Sequence, residues 1–245
     1  MNKILSIDNI SKTFYTSKSE IKAIDNITFD IYEGDFIAIV GPSGCGKSTL
    51  LSIINKQEKP NTGKVEYDAN IGYMLQNDSL FEWLTVLDNC LLGLKIKNKL
   101  TDDNKQYVLD LLNKYGLKKF INNYPNSLSG GMRQRVALIR TLALKPDILL
   151  ADEPFSALDF QSRINISNDI FKILKAEKKT LILVTHDIQE AITICKKIIV
   201  LTKRPAKIKN IYNIDINEKE PIDKRKDEKF NEYFSLIWKD IDYDT

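Results

Sequence analysis

The residues with the clearest chemistry are Gly41-Pro42-Ser43-Gly44-Cys45-Gly46-Lys47-Ser48-Thr49, which fit G-x-x-x-x-G-K-[ST] without a gap. The arrangement suits capture of a chain of phosphates. Its glycines let successive N–H groups converge into an anion nest. A helix starting near Lys47 adds free N–H donors and the positive end of its dipole. Lys47 supplies a point charge for the outer phosphates, the Ser48 hydroxyl is placed for Mg²⁺, and Thr49 can bond an inner phosphate. Two adjacent carboxylates, Asp152 and Glu153, close an apolar run. At such a strand end an Asp helps hold Mg²⁺, directly or through water, and the next carboxylate can face the attacking water. Side chains alternate along a strand, so the two acids are expected to do different jobs. His186, the single histidine of the chain, follows another apolar run. That is where open α/β sheets bind their ligands. Together these residues predict binding of a nucleoside triphosphate.

Other candidates leave more than one reading open. Ser129-Gly130-Gly131 opens a helical pattern and makes a second anion site at a helix N-terminus, or a plain capped helix. Gln76 follows a short strand and matters chemically only if that strand lies beside the phosphate loop. Phe14 or Tyr15 can stack on an adenine ring, although an aromatic at a strand end is more often core. Cys45 reads as a small side chain in a tight loop.

The elements that must position these groups are visible as patterns. Residues 35–40 form an apolar run before the phosphate loop, and Leu50-Leu51-Ser52-Ile53-Ile54 continues as an apolar helix. Residues 3–10 and 21–31 alternate and read as an antiparallel edge sheet, with a polar loop through Glu20 between them. Glu58 to Gly63 is a turn by its chemistry, and residues 64–67 and 71–75 are short strands. From Leu84 to Leu144 the pattern is helical, with Thr85 as a cap and Gly116 as a stop. Residues 148–154 and 180–185 read as buried parallel strands, and 198–201 and 208–214 as closing strands. Glu218 to Lys229 is charge-dense. Phe230, Phe234, Ile237, Trp238 and Ile241 are expected to share the inner face of a terminal helix. The fold class is therefore α/β: a phosphate-loop core of the RecA-like kind, an antiparallel β subdomain and an inserted α-helical subdomain. The main domain is expected over 1–217, with the helical lobe at about 84–144. A charged segment and an amphipathic helix packing on the domain follow over 218–245.

Composition narrows the function. Of 245 residues, 43% are hydrophobic and 28% charged, so a full core can form. The formal charge of +3 is too small to argue for nucleic acid. Cys45, Cys90 and Cys195 form neither a disulfide framework nor a zinc motif, which predicts a reducing compartment. Met1 to Asp8 has no long apolar core, and no run approaches the ~20 residues that span a bilayer. Work at a membrane is expected to run through a partner.

The ordered set of Gly41 to Thr49, Gln76, Leu128-Ser129-Gly130-Gly131-Met132-Arg133-Gln134-Arg135, Ile148 to Glu153, Ser156-Ala157-Leu158-Asp159 and His186 resembles the ATP-binding-cassette ATPases. The resemblance runs from about Leu5 to about Ile214, and the Leu-Ser-Gly-Gly-x-x-Gln-Arg stretch is its diagnostic piece. It implies roles by position. Phe14 looks like the adenine-stacking aromatic, with Tyr15 the fallback, and Gln76 like the glutamine that senses Mg²⁺ and water. Asp152 looks like the metal-associated acid, Glu153 like the general base, and His186 like the switch residue at the γ-phosphate. Ser129, Gly130 and Gly131 would contact the γ-phosphate held by the opposite subunit of a head-to-tail homodimer, and Asp159 would report across that interface. The implied cofactors are ATP and Mg²⁺.

Leu80-Phe81-Glu82-Trp83-Leu84-Thr85-Val86, residues 156–163 and Lys203-Arg204-Pro205-Ala206-Lys207-Ile208 resemble the importers of nitrate, sulfonates and taurine, a group that includes importers of pyrimidine precursors. Glu82, where a proline is common, and Asn55-Lys56, in place of a small pair, depart from that pattern. The implied partners are integral membrane permease subunits and, indirectly, a solute-binding protein. The implied location is the cytoplasmic side of the membrane, peripherally bound, with no nucleic acid. An export or lipid-handling cassette would keep the same catalytic residues. A DNA-repair cassette needs a coiled-coil insertion for which the interval from Gln76 to Leu128 is too short. A ribosome-acting one usually carries two cassettes.

Overall fold

The computed structural model describes residues 2–15, 19–216 and 220–242; parts of the loop before Glu20, and Glu218 with the 217/218 boundary, lie outside them. Three strands make an antiparallel sheet in the order β2-β1-β4: β1 (Lys3–Tyr15), β2 (Glu20–Tyr32) and β4 (Thr62–Glu66). Six more make the central sheet in the order β5-β6-β7-β3-β8-β9. These are β3 (Phe36–Val40), β5 (Ile71–Met74), β6 (Ile148–Asp152), β7 (Thr180–Val184), β8 (Lys197–Leu201) and β9 (Ile208–Asn213). All neighbours pair in parallel except β9, which runs antiparallel on the edge.

Strand alternation divides the core in two. Ile37, Ile39, Ile148, Leu150, Ile182 and Val184 face one cluster, which holds α1 (Lys47–Ile54) and the inner side of the antiparallel sheet. Phe36, Ala38, Val40, Leu149, Leu181 and Leu183 face the other, which holds the remaining helices. Continuous apolar runs in β3 and β7 follow from burial on both faces. Between β5 and β6 come α2 (Val86–Ile96), α3 (Asp102–Lys114) and α4 (Gly130–Leu142). Thr85, Thr101 and Ser129 cap them through their hydroxyls. α5 (Phe160–Ala176) and α6 (Ile188–Ile194) flank β7, and α7 (Pro221–Lys224) and α8 (Glu228–Asp242) follow β9. Among the described residues no helix is long and apolar enough to cross a membrane.

Four sequence expectations need correction. The segment Thr62-Gly63 is part of β4, not of a turn. Gly63 has φ +80°, and a Cβ there would stand 2.3 Å from the Asp8 and Asn9 carbonyls, so the strand bulges against β1. β5 stops at Met74, so Gln76 sits in the bend beyond it. β6 stops at Asp152, and Glu153 takes φ +46° outside the strand. On α8, Phe230 and Ile237 are buried and Phe234 and Ile241 pack against the core. Trp238, one position after Ile237, is 54% exposed and stacks on Phe234 instead.

Candidate active site

The loop from Gly41 to Gly46 joins β3 to α1 at the carboxyl end of the parallel strands. Gly46 closes it with φ +128°, and a Cβ there would stand 3.0 Å from the Ala23 carbonyl. Only glycine fits that combination of angle and approach. The Lys47 ammonium is buried and donates to the Gly41 and Pro42 carbonyls at 2.9 and 3.0 Å. The loop thus curls around its own lysine. Cys45 is buried beneath it, and burial pushes its thiol pKa up, which favours the neutral thiol as a packing group. Arg204 donates to the Gly44 carbonyl at 2.6 Å and ties the loop to the segment after β8. Ser43, Gly44 and Ser48 are exposed at the mouth, with Thr49 half-buried behind them.

Strand order brings the acids to this loop. The Ser48 hydroxyl donates to Asp152 Oδ1 at 3.3 Å, and the Tyr73 hydroxyl donates to Oδ2, also at 3.3 Å. Burial raises the Asp152 pKa, opposed by these two hydrogen bonds. Burial first, and then the Asp152 charge, push the Tyr73 phenol up to about 12, so it stays a donor. A hydroxyl and a carboxylate are hard oxygen donors, the set Mg²⁺ takes when phosphates and water complete its shell. Glu153 leaves the strand in the left-handed region, a conformation retained where surrounding structure enforces it. Its N–H bonds the Val184 carbonyl at 2.8 Å, and its own carbonyl accepts from Ser156. The turn directs Oε2 to within 3.0 Å of His186 Nδ1. His186 is half exposed and Glu153 less so. Different backbone paths, not strand alternation, therefore separate the two acids.

Behind His186 lies a buried network. The Thr185 hydroxyl donates to Glu190 at 2.5 Å and accepts from the Asp187 N–H at 3.0 Å. Burial pushes Glu190 up to about 8, so at neutral pH it is largely the neutral acid. Arg163 pairs with Asp187 at 3.4 Å.

A second group gathers around α4. Ser129 and Gly130 are exposed, and the Ser129 hydroxyl accepts from the Met132 N–H at 3.4 Å. Gly131 lets α4 approach α5: a Cβ there would stand 2.4 Å from Ile166 Cδ1. A Cβ on Gly130 would stand 3.1 Å from Leu158. Asp159, the next residue, caps α5 by accepting from the Ser162 N–H at 3.0 Å, and that bond lowers its pKa. α1 packs on β2 and β6, whereas α4 packs on α2, α3, α5 and β5. Gln76 is exposed, and the structure pairs it with none of Ser48, Asp152 or Glu153. The stretch that follows it is clamped to α4. Arg133 holds Asp78 through two bonds at 2.7 and 3.0 Å and Glu82 at 2.7 Å, and Arg140 donates to the Asp78 and Ser79 carbonyls. Phe14 packs half-buried on the α1-side core with Lys12 4.9 Å above its ring, while Tyr15 is 70% exposed.

Tyr73, Arg204, Glu190 and the Asp78–Arg133 pair were not singled out as site residues by the sequence. Only Tyr73 had a usable signal, an aromatic hydroxyl near the end of a short strand. It gains meaning once β5 is known to lie beside β6.

Residues 24–156 match the family described as ABC transporter. The chain belongs to the ABC transporter family. It is 45% identical to the uncharacterized ABC transporter ATP-binding protein YtlC of Bacillus subtilis (strain 168), across 97% of this chain and 95% of that protein. It is 36% identical to the aliphatic sulfonates import ATP-binding protein SsuB of Bacillus cereus (strain ZK / E33L), across 98% and 96%. Its fold matches the dimeric ATP-binding cassette MJ0796, bound to ADP and Pi in a post-hydrolysis state, with TM-score 0.73 and 34% identity over 87% of this chain and all of that one. This ABC chain is an ATPase, and its architecture is that of the cassette: a phosphate-loop core, an antiparallel sheet and a helical insertion.

Proposed function

We propose that this ATPase drives uptake of a small solute as the energising subunit of an importer, working as a head-to-tail homodimer beneath two permease subunits. The observation that carries the dimer is the separation of two half-sites. The phosphate loop with Asp152, Glu153 and His186 forms one, and the exposed N-terminus of α4 with Ser129 and Gly130 forms the other. Each offers donors to phosphate on one side only, so a bound nucleotide joins two chains. The dimeric form of the related cassette supports this reading.

Lys47 and the N–H groups of the loop and of α1 hold the phosphates. Ser48, Asp152 and Gln76 would hold Mg²⁺, which when bound would shield the negative phosphate oxygens. Phe14 receives the adenine. Glu153 takes a proton from the attacking water, and His186, 3.0 Å from its carboxylate, orients it and reaches the outer phosphate. Ser129, Gly130 and Gly131 contact that phosphate from the opposite chain, and Asp159 reports across the same interface. Loss of the shared phosphate on hydrolysis lets the halves part, a two-state switch biased by a ligand. The clamp from Arg133 and Arg140 transmits movement of the Gln76 to Glu82 stretch to α4. The exposed Trp83 and Phe81 beside it offer a surface to the permease.

The chain is then peripheral on the cytoplasmic face of the membrane, fed by a solute-binding protein. Its cargo is a sulfonate, taurine or nitrate-like anion or a pyrimidine precursor, and the sulfonate-import relative supports the sulfonate within that range. The test is purification of tagged Glu153→Gln protein with Mg²⁺-ATP from native membranes. Turnover should fall at least ~100-fold, the range of a lost general base, with ATP binding retained. A permease and a solute-binding protein should co-purify. A permease without the binding protein moves the reading to export. Ribosomal or nucleic-acid partners alone overturn transport.

A further inference from the structure

The pole opposite the phosphate loop contains a cavity of about 370 Å³. It lies at the amino ends of the parallel strands, where Phe36 opens β3 and Lys196 precedes β8. The length of β3, roughly 16 Å at 3.3 Å per residue, separates it from the nucleotide loop. Phe36, Phe171 and Ile194 give it apolar walls, and Lys175, Lys196 and Lys224 line it with positive charge.

Lys224 is the unusual member. It is 94% buried, being only 6% exposed. The one hydrogen bond of its ammonium among the described residues goes to the Ile192 carbonyl at 3.5 Å, in the last turn of α6. An ammonium has three donors, so two remain without acceptors among the described residues. Among the described residues, two nearby carboxylates are already engaged: Asp215, which shares the wall, pairs with Lys229 at 3.1 Å, and Glu220 pairs with Lys172 at 2.8 Å. Lys175 lies 5.5 Å from the Phe171 ring centre. Burial, and after it the charges of Lys196 and Lys175, lower the Lys224 pKa. Three like charges around one cavity are mutually unfavourable until an anion enters. Nothing in the ATPase chemistry uses them.

We propose that this cavity binds a small organic anion, its charged head between Lys224, Lys196 and Lys175 and its apolar body against Phe36, Phe171 and Ile194. The volume lies in the lower range of small-molecule sites, which suits a compact sulfonate or carboxylate. The mixed wall distinguishes such a ligand from inorganic sulfate, which would leave the aromatic side without a partner.

Isothermal titration of the purified full chain with naphthalene-1-sulfonate tests this, with and without saturating Mg²⁺-ADP. One site is expected, with Kd on the order of 10 μM to 1 mM, unchanged by Mg²⁺-ADP. Lys224→Met and Lys196→Met should each weaken it at least ~10-fold while leaving Mg²⁺-ADP affinity unchanged. Lys196 is exposed, so its variant decides the matter if Lys224→Met does not fold. No binding, affinity in both variants equal to the parent's, or displacement by Mg²⁺-ADP overturns the site. Inorganic sulfate binding as tightly overturns the organic class of ligand.

Discussion

Gly131→Ala separates two reasons for a glycine at the start of α4. The new methyl would stand 2.4 Å from Ile166 Cδ1 and 2.9 Å from its Cγ1, against the 3.5–4.0 Å at which carbons pack. Ile166 is 5% exposed and has little room to retreat. Overpacking of this kind costs about 1–3 kcal/mol. Alanine in place of glycine in a helix returns up to about 1 kcal/mol. The net loss is then ~1 kcal/mol, or about 2–4 °C in Tm for a chain of this size. Ile166→Val removes Cδ1 and alone costs about 0.5–1.5 kcal/mol. Combined, the two changes should offset each other, with a coupling of about 1–2 kcal/mol in a double-mutant cycle.

Thermal melting and ATPase rate are read on the same four proteins. The expected result is that Gly131→Ala/Ile166→Val melts close to the parent while its turnover stays as low as that of Gly131→Ala. The methyl would remain in the first turn of α4, which the proposed function sets against the partner's phosphate. Additive melting shifts would refute the packing argument. Recovery of turnover together with stability would show that Gly131 serves packing alone, and would refute its placement at the shared phosphate.

Lys47→Ala should weaken ATP binding roughly 10- to 100-fold, the worth of a charge-assisted hydrogen bond of ~1.5–3 kcal/mol; unchanged affinity by nucleotide titration would remove Lys47 from the phosphate site. Tyr73→Phe deletes one of the two hydroxyl donors to Asp152, so the Mg²⁺ concentration giving half-maximal turnover should rise about 3- to 10-fold, equivalent to ~1 kcal/mol. An unaltered Mg²⁺ titration would contradict that support role. Glu190 keeps its proton to about pH 8 in the fold against 4.5 ordinarily. The stabilisation from that proton is full below about 4.5 and is lost as pH rises toward 8, at up to ~1.4 kcal/mol per pH unit. Glu190→Gln should flatten the fall in stability across this window, measured by denaturant melts from pH 5 to 8; parallel curves would mean that Glu190 is ionised in the fold.

Wherever a motif is contiguous, its local structure was legible. The residues from 41 to 49 fix their own loop because glycine angles, the helix start and Lys47 act within one turn of each other. Ser129 is the cap its position predicts, because capping joins residues two or three apart. The continuous apolar runs of β3, β6 and β7 announced strands buried on both faces. Boundaries were less legible: Gly63 and Glu153 owe their backbone angles to a neighbouring strand and to the Val184 carbonyl, neither of which local pattern encodes.

By itself, then, the sequence pointed to a chain that binds a nucleoside triphosphate and folds around a phosphate-loop core, and it singled out the adjacent acids Asp152 and Glu153 as candidates for Mg²⁺ and water. Tertiary structure alone decided that Tyr73 supports Asp152, that Glu153 turns out of its strand toward His186, that Arg133 ties the stretch after Gln76 to α4, and that three lysines meet in one cavity. The reason is the range of the forces involved. Turn angles and helix caps are set by neighbours in the chain, whereas these contacts join residues 21 to 79 positions apart. Their meeting depends on strand order and on which face each helix buries, and periodicity specifies a face without specifying its partner.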